Sequence, residues 1–245
     1  MRETVKHLLF PHKCVGCREK FNIFDSDFDP DAVYCSKCRS EWEKAKILPC
    51  TDCRMASIEC TCVPDILEGL DVVSLFRFGT VLAADRMVYS MKRKPLPRVF
   101  AFAADELARR TVSYCRERKI DLSNAVVTFV PRSERSVKRY GFDHGKLLSR
   151  AVAEGLRLEH TELLRRRGRS IDQKKLTVDK RFRNSSNRFE LLKDADVRDK
   201  TVIIVDDVIT TGATSAACAL AIYDGEPGRI MVLCLAKGGK TRRKK

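Results

Sequence analysis

Residues 201–215, TVIIVDDVITTGATS, place two adjacent acids, Asp206 and Asp207, after an apolar run and follow them with Thr210, Thr211, Gly212, Ala213 and Thr214. A helix beginning there leaves its first backbone amides without internal acceptors, so they can bind a phosphate. Gly212 permits close backbone approach and the threonine hydroxyls add donors. Carboxylates repel phosphate, so Asp206 and Asp207 suit ribose hydroxyls or a Mg²⁺ shared with the hydroxyls. One segment can therefore hold a sugar by its diol and its 5′-phosphate together.

The second chemically dense region is the run of cysteines. Eleven occur in 245 residues, and eight of them fall between positions 14 and 62. Cys14, Cys17, Cys35 and Cys38 read C-x2-C-x17-C-x2-C, two knuckles of the kind that close a tetrahedral zinc site. Cys50, Cys53, Cys60 and Cys62 form a second, less regular set. Two structural zinc ions, ligated in sequence order, is the preferred reading; a single zinc and interleaved pairing stay open. Cys115, Cys218 and Cys234 lie in apolar surroundings and read as buried small hydrophobes.

The elements that must position these groups follow from periodicity. The patterns predict a strand at 71–78, helices at 81–93 and 98–119, a buried strand at 125–130 and a helix at 144–156. A basic irregular segment at 165–188, a strand at 201–206, a helix at 213–222 and a strand at 230–235 complete the series. Continuous apolar strands alternating with helices imply an α/β fold with a parallel sheet covered on both faces. Composition divides the chain into a cysteine-rich module at 1–65, the α/β domain at 66–238 and a basic tail at 239–245. No apolar run approaches the roughly 20 residues of a membrane span, and the amino terminus lacks a secretory signal, which places the expected location in the cytoplasm. A net charge of +15 favours a polyanionic partner or an anionic substrate.

VIIVDDVITTGAT resembles the 5-phosphoribosyl 1-pyrophosphate (PRPP) motif of type I phosphoribosyltransferases: an aliphatic strand, two acids, two variable residues and a hydroxyl-rich loop closing on threonine. With the four cysteine pairs in front, VPRSERSVKRYGFDHGKLL in the middle, and Gln173, Leu176, Arg181, Asn184 and Phe189 beyond, nearly the whole chain resembles the ComF family. These are competence-associated, double zinc ribbon phosphoribosyltransferase-like proteins. The family pattern usually runs Arg-Gly-Phe-Asn-Gln where this chain has Tyr140, Gly141, Phe142, Asp143 and His144. The resemblance implies a Mg²⁺-dependent protein that binds PRPP or a related phosphorylated ribose and handles single-stranded DNA during natural transformation, with a competence helicase among its partners. A non-catalytic adaptor that docks such a partner through its zinc ribbons is the alternative.

Phosphoribosyl transfer gives the ribose C1 oxocarbenium character as pyrophosphate departs, so the protein must neutralise the leaving group and align the acceptor. By resemblance, Arg132 in Pro131-Arg132-Ser133 is the leaving-group contact and Asp207 the general-base candidate. The segment 165–188 carries ten basic residues against Asp172 and Asp179, and its position matches a loop that closes over PRPP. Lys174 and Arg181 are its foremost candidates, and a basic arm for nucleic-acid backbone is the competing role. His144 reads as a satisfied surface group. A cover over the site is expected from the cysteine module or from residues 81–98, including Lys92.

Overall fold

A computed structural model of the chain describes residues 12–22, 29–167 and 188–238. The strands are β1 (Asp71–Phe78), β2 (Ala125–Phe129), β3 (Glu159–His160), β4 (Leu164–Arg166), β5 (Phe189–Leu191), β6 (Thr201–Ile209) and β7 (Arg229–Gly238). The helices are α1 (Ser36–Ile47), α2 (Leu82–Arg93), α3 (Pro97–Arg118), α4 (Glu134–Tyr140), α5 (His144–Leu156) and α6 (Ala213–Tyr223), with one 3₁₀ turn at Asp65–Leu67. Five strands form a sheet in the order β1-β7-β6-β2-β3, parallel throughout, and β4 pairs antiparallel with β5 beside it. Among the described residues no helix is long and apolar enough to cross a membrane.

The central strands are apolar on both faces because both faces are covered. Ile203 and Val205 of β6 pack into the cluster that contains Met87 of α2, Leu107 of α3 and Val152 of α5. Val202 and Ile204 point the other way, into a cluster with Cys218 and Ile222 of α6. Each such fully buried side chain contributes roughly 1.5–3 kcal/mol relative to exposure. Cys115, Cys218 and Cys234 are buried, as their surroundings predicted.

Two expected elements are longer than the sequence indicated. β6 continues through Ile209 instead of ending at 206, and β7 reaches Gly238 instead of 235. Each extension supplies the other's partner, with Val208 opposite Ala236 and Ile209 opposite Lys237. The chain therefore does not turn directly after Val205; the two aspartates are still strand residues.

The cysteine-rich part has no core of its own among the described residues. Its α1 presents Cys38, Trp42 and Ala45 along one face, and Trp42 makes edge contacts with Phe76 of β1 and Phe102 of α3. Trp42 Nε1 donates to Glu106 of α3 at 3.2 Å, and Lys46 donates to the same carboxylate oxygen at 2.7 Å. Burial alone would raise the pKa of Glu106; Lys46, Trp42 and Arg109 outweigh it and hold the carboxyl below its ordinary value.

Candidate active site and cysteine clusters

The sheet order sets the place of the site. From β2 the chain crosses to β3 at one edge, and from β6 it crosses to β7 in the opposite direction. The carboxyl ends of β2 and β6 thus frame the crevice in which open α/β sheets bind ligands. β2 ends at Phe129, opposite Val205, and Asp206 and Asp207 lie just beyond that last pair. A cavity of about 290 Å³ opens there, lined by Asp206, Asp207, Arg132, His144, Lys92 and Arg166 among others.

Successive strand residues point to opposite faces, and the two aspartates obey this rule. Asp207 faces α2 and α5, where its Oδ2 meets Lys92 Nζ at 2.9 Å and His144 Nε2 at 2.6 Å. Asp206 faces α6; its Oδ2 accepts from Ser215 Oγ at 3.2 Å and its Oδ1 from the Asp207 N–H at 2.8 Å. Burial, reinforced by the neighbouring Asp207 charge, pushes the Asp206 carboxyl up to about 6. Burial also works against ionisation of Asp207, but His144 and Lys92 overcome it and hold that carboxyl below its usual value.

The loop after β2 is braced by Asp143. Its Oδ1 caps α5 by accepting from the Gly145 and Lys146 N–H groups at 2.8 and 3.3 Å, while its Oδ2 accepts from the Arg132 N–H at 3.0 Å. The Arg132 guanidinium lies over the Tyr140 ring at 5.0 Å. Its Nη1 and the His144 Nδ1 are buried without a hydrogen-bond partner among the described residues. His144 lines the cavity and holds Asp207, while Tyr140 and Asp143 act one step back by holding Arg132.

His144 is not the surface group its isolation in the sequence implied. It starts α5 facing the sheet, is buried, and pairs with an aspartate 63 positions away. Lys92 reaches the site from the last turn of α2, within the segment expected to cover it. Arg166 and Ser215 are residues the sequence reading did not single out. Arg165 and Arg167, by contrast, are both engaged by Glu190 of β5, so their charge secures the β4–β5 pairing. Lys174 and Arg181 lie outside the described residues.

The loop that follows leads into α6, whose first turn is bonded to Asp206 through Ser215. Thr210, Thr211 and Ala213 line a second cavity, of about 760 Å³, between the loop and the second cysteine cluster. Gly212 has φ +76, and a Cβ there would come within 3.0 Å of Ile66 and Leu67, so glycine fits both the backbone and the covering 3₁₀ turn. Thr214 follows in the first turn of α6.

Both cysteine sets are gathered in sequence order. Cys14, Cys17, Cys35 and Cys38 form one cluster and Cys50, Cys53, Cys60 and Cys62 another, each with its sulfurs within 4.8 Å of one another. Four sulfurs about 2.3 Å from one zinc lie ~3.8 Å apart. The Cys17–Cys35 and Cys53–Cys60 separations of 3.9 and 3.7 Å match that edge, so each donor set fits one tetrahedral zinc. The Cys35 N–H points at Cys14 Sγ (3.3 Å) and the Asp52 N–H at Cys50 Sγ (3.5 Å), as thiolate ligands require. In the second cluster Arg77 Nη1 also donates to Cys50 Sγ (3.4 Å), and buried Lys237 donates to Cys60 Sγ (3.4 Å).

No protein-family model matches the chain. Over 131 residues, 53% of this chain and 54% of the relative, it is 30% identical to the DNA utilization protein YhgH of Escherichia coli K12. Over 152 residues, 62% and 66% respectively, it is 28% identical to the protein of that name from Salmonella typhimurium. The chain spans about half the length of the first of these relatives. Similar solved structures include an adenine phosphoribosyltransferase, with 21% identity, 59% of this chain and 72% of that one covered, and a TM-score of 0.38. A hypoxanthine phosphoribosyltransferase from Trypanosoma cruzi follows at 15% identity, 60% and 71% coverage, and a TM-score of 0.37.

Proposed function

We propose that this chain is a Mg²⁺-dependent, phosphoribosyltransferase-like protein that binds PRPP in the crevice between β2 and β6 and serves in DNA handling. The observation that carries the reading is the meeting of Asp206, Asp207 and Arg132 in one cavity at the switch point of the sheet. The names of the Escherichia and Salmonella relatives support the DNA role.

The donors at the carboxylate pair are oxygens, which suits a hard cation such as Mg²⁺. When bound, Mg²⁺ supplies charge neutralisation for the departing pyrophosphate. Arg132, with a partnerless Nη1 and a loop fixed by Asp143, is set to bind pyrophosphate oxygens. Asp206 and Asp207 hold the ribose hydroxyls, and Lys92 with His144 keeps Asp207 ionised and oriented. The loop Thr210–Thr214 takes the 5′-phosphate at the start of α6. Of the segments expected to cover the site, residues 81–98 contribute Lys92 to the lining of its cavity.

Calorimetry with PRPP and Mg²⁺ on the zinc-loaded protein tests this. Wild-type binding that disappears in Asp206→Asn/Asp207→Asn is the expected result, and pyrophosphate release in the presence of candidate acceptors then reads turnover. Absence of PRPP binding by the wild type would refute it.

A further inference from the structure

A third cavity, of about 720 Å³, lies away from the crevice, between the first cysteine knuckle and the outer face of α2. On α2 it is lined by Arg86, Tyr89, Ser90 and Arg93, residues at the i, i+3, i+4, i+7 spacing that shares one helix face. The knuckle contributes Lys13 and Arg18, and the link to α3 contributes Lys94 and Arg98. Among the described residues no acidic one lines it. Among the described residues none of these cations makes an ion pair, although the charge of Asp31 acts on Arg98.

Two of the cations build the groove. Arg86 donates to the Gly16 carbonyl, and Arg98 Nη2 donates to the Lys13 carbonyl at 3.1 Å, so both tie the knuckle to the helices. Arg98 Nε remains buried without a partner among the described residues. Lys13, Arg18, Arg93 and Lys94 are then left to meet a ligand. In their midst Tyr89 is 49% exposed, an aromatic group in a wall that also contains the apolar Val15 and Leu96.

We infer that this groove binds single-stranded DNA, its cations along the phosphates and Tyr89 under an unstacked base. Concentrated positive charge alone would accept any polyanion. An exposed aromatic face adds a preference for a strand whose bases are free to stack, which a duplex does not offer. DNA is chosen over RNA because the inference rests on the DNA-handling part of the proposed function; it does not rest on the sugar-phosphate site. The groove is also distinct from the segment 165–188 as the place of nucleic-acid contact.

The test is fluorescence anisotropy of the zinc-loaded full chain with labelled dT12, U12 and a 12-base-pair duplex across a salt series. Arg18→Ala/Arg93→Ala/Lys94→Ala removes phosphate contacts while sparing Arg86 and Arg98, and Tyr89→Ala removes the stacking face. For dT12 the triple variant is expected to lower the slope of log K against log salt by about 2. Tyr89→Ala is expected to weaken binding about tenfold with the slope unchanged. Unchanged zinc content and PRPP binding in both variants would show that the effects are local. Wild-type slope and affinity in the triple variant would overturn the groove assignment while leaving the DNA role standing. A wild type that binds no oligonucleotide would overturn both. Equal binding of duplex with Tyr89→Ala silent would overturn the single-strand assignment, and tighter binding of U12 than dT12 the choice of DNA.

Discussion

The two cysteine clusters have the same ligands and nearly the same sulfur spacing, yet they are held in opposite ways. The first is held by packing. Cys14 and Cys38 belong to the main hydrophobic core together with Trp42, and a Cβ on Gly16 would stand 2.6 Å from Cys38 Sγ. The second is held by charge. A zinc with four thiolates carries a net charge of −2, and Arg77 and Lys237 supply two cations against its sulfurs, one from β1 and one from β7. The first cluster is thus part of the core, and the second is a group of sulfurs fastened to strand ends by charge.

This contrast is broken or sharpened by four variants, from the largest expected effect to the smallest. Cys38→Ser should abolish cooperative melting, because a zinc held there would contribute on the order of 10 kcal/mol and Cys38 is also core. Exposed Cys53→Ser should keep the main transition and lose one zinc by mass spectrometry. Equal melting of the two variants would erase the distinction. Glu106→Gln should cost ~2 kcal/mol at pH 7 by removing the carboxylate that Lys46 and Arg109 hydrogen-bond, with Lys46 keeping Glu43 as its remaining anion, measured by denaturant unfolding. Because the Glu106 carboxyl is held below its ordinary value, that stability is present at neutral pH and is lost as pH falls below about 4.5 through the lowered value. The wild type and Glu106→Gln should therefore converge in acid. Lys237→Met should weaken zinc binding at the second cluster about tenfold by chelator competition, with no change at the first.

The α/β half was legible because its signal is local. The run VIIV could only be a doubly covered strand, and the predicted helix at 144–156 matches α5 to the residue. α1 was not anticipated because the cysteines dominate its surroundings and its apolar face is only Trp42 and Ala45 beside Cys38. The site was legible in part. Asp206, Asp207 and Arg132 do share a cavity, but strand alternation turns the aspartates to opposite faces, a consequence of period 2 that treating them as a pair had set aside. The partnership of His144 with Asp207 was invisible because it is made by packing α5 on the sheet, not by any local pattern.

Lys237 has a consequence for the timing of assembly. Its ammonium donates to the Cys60 and Cys62 carbonyls at 2.7 and 2.9 Å, across 177 and 175 positions of sequence. During synthesis the second set of cysteines leaves the ribosome long before that lysine does. A nascent chain can collect these thiols early but has Arg77 alone, without Lys237, to offset their charge until β7 enters the sheet between β1 and β6. A strand made late in synthesis thus completes a cysteine cluster made early, so products interrupted before β7 should hold zinc less tightly at the second cluster.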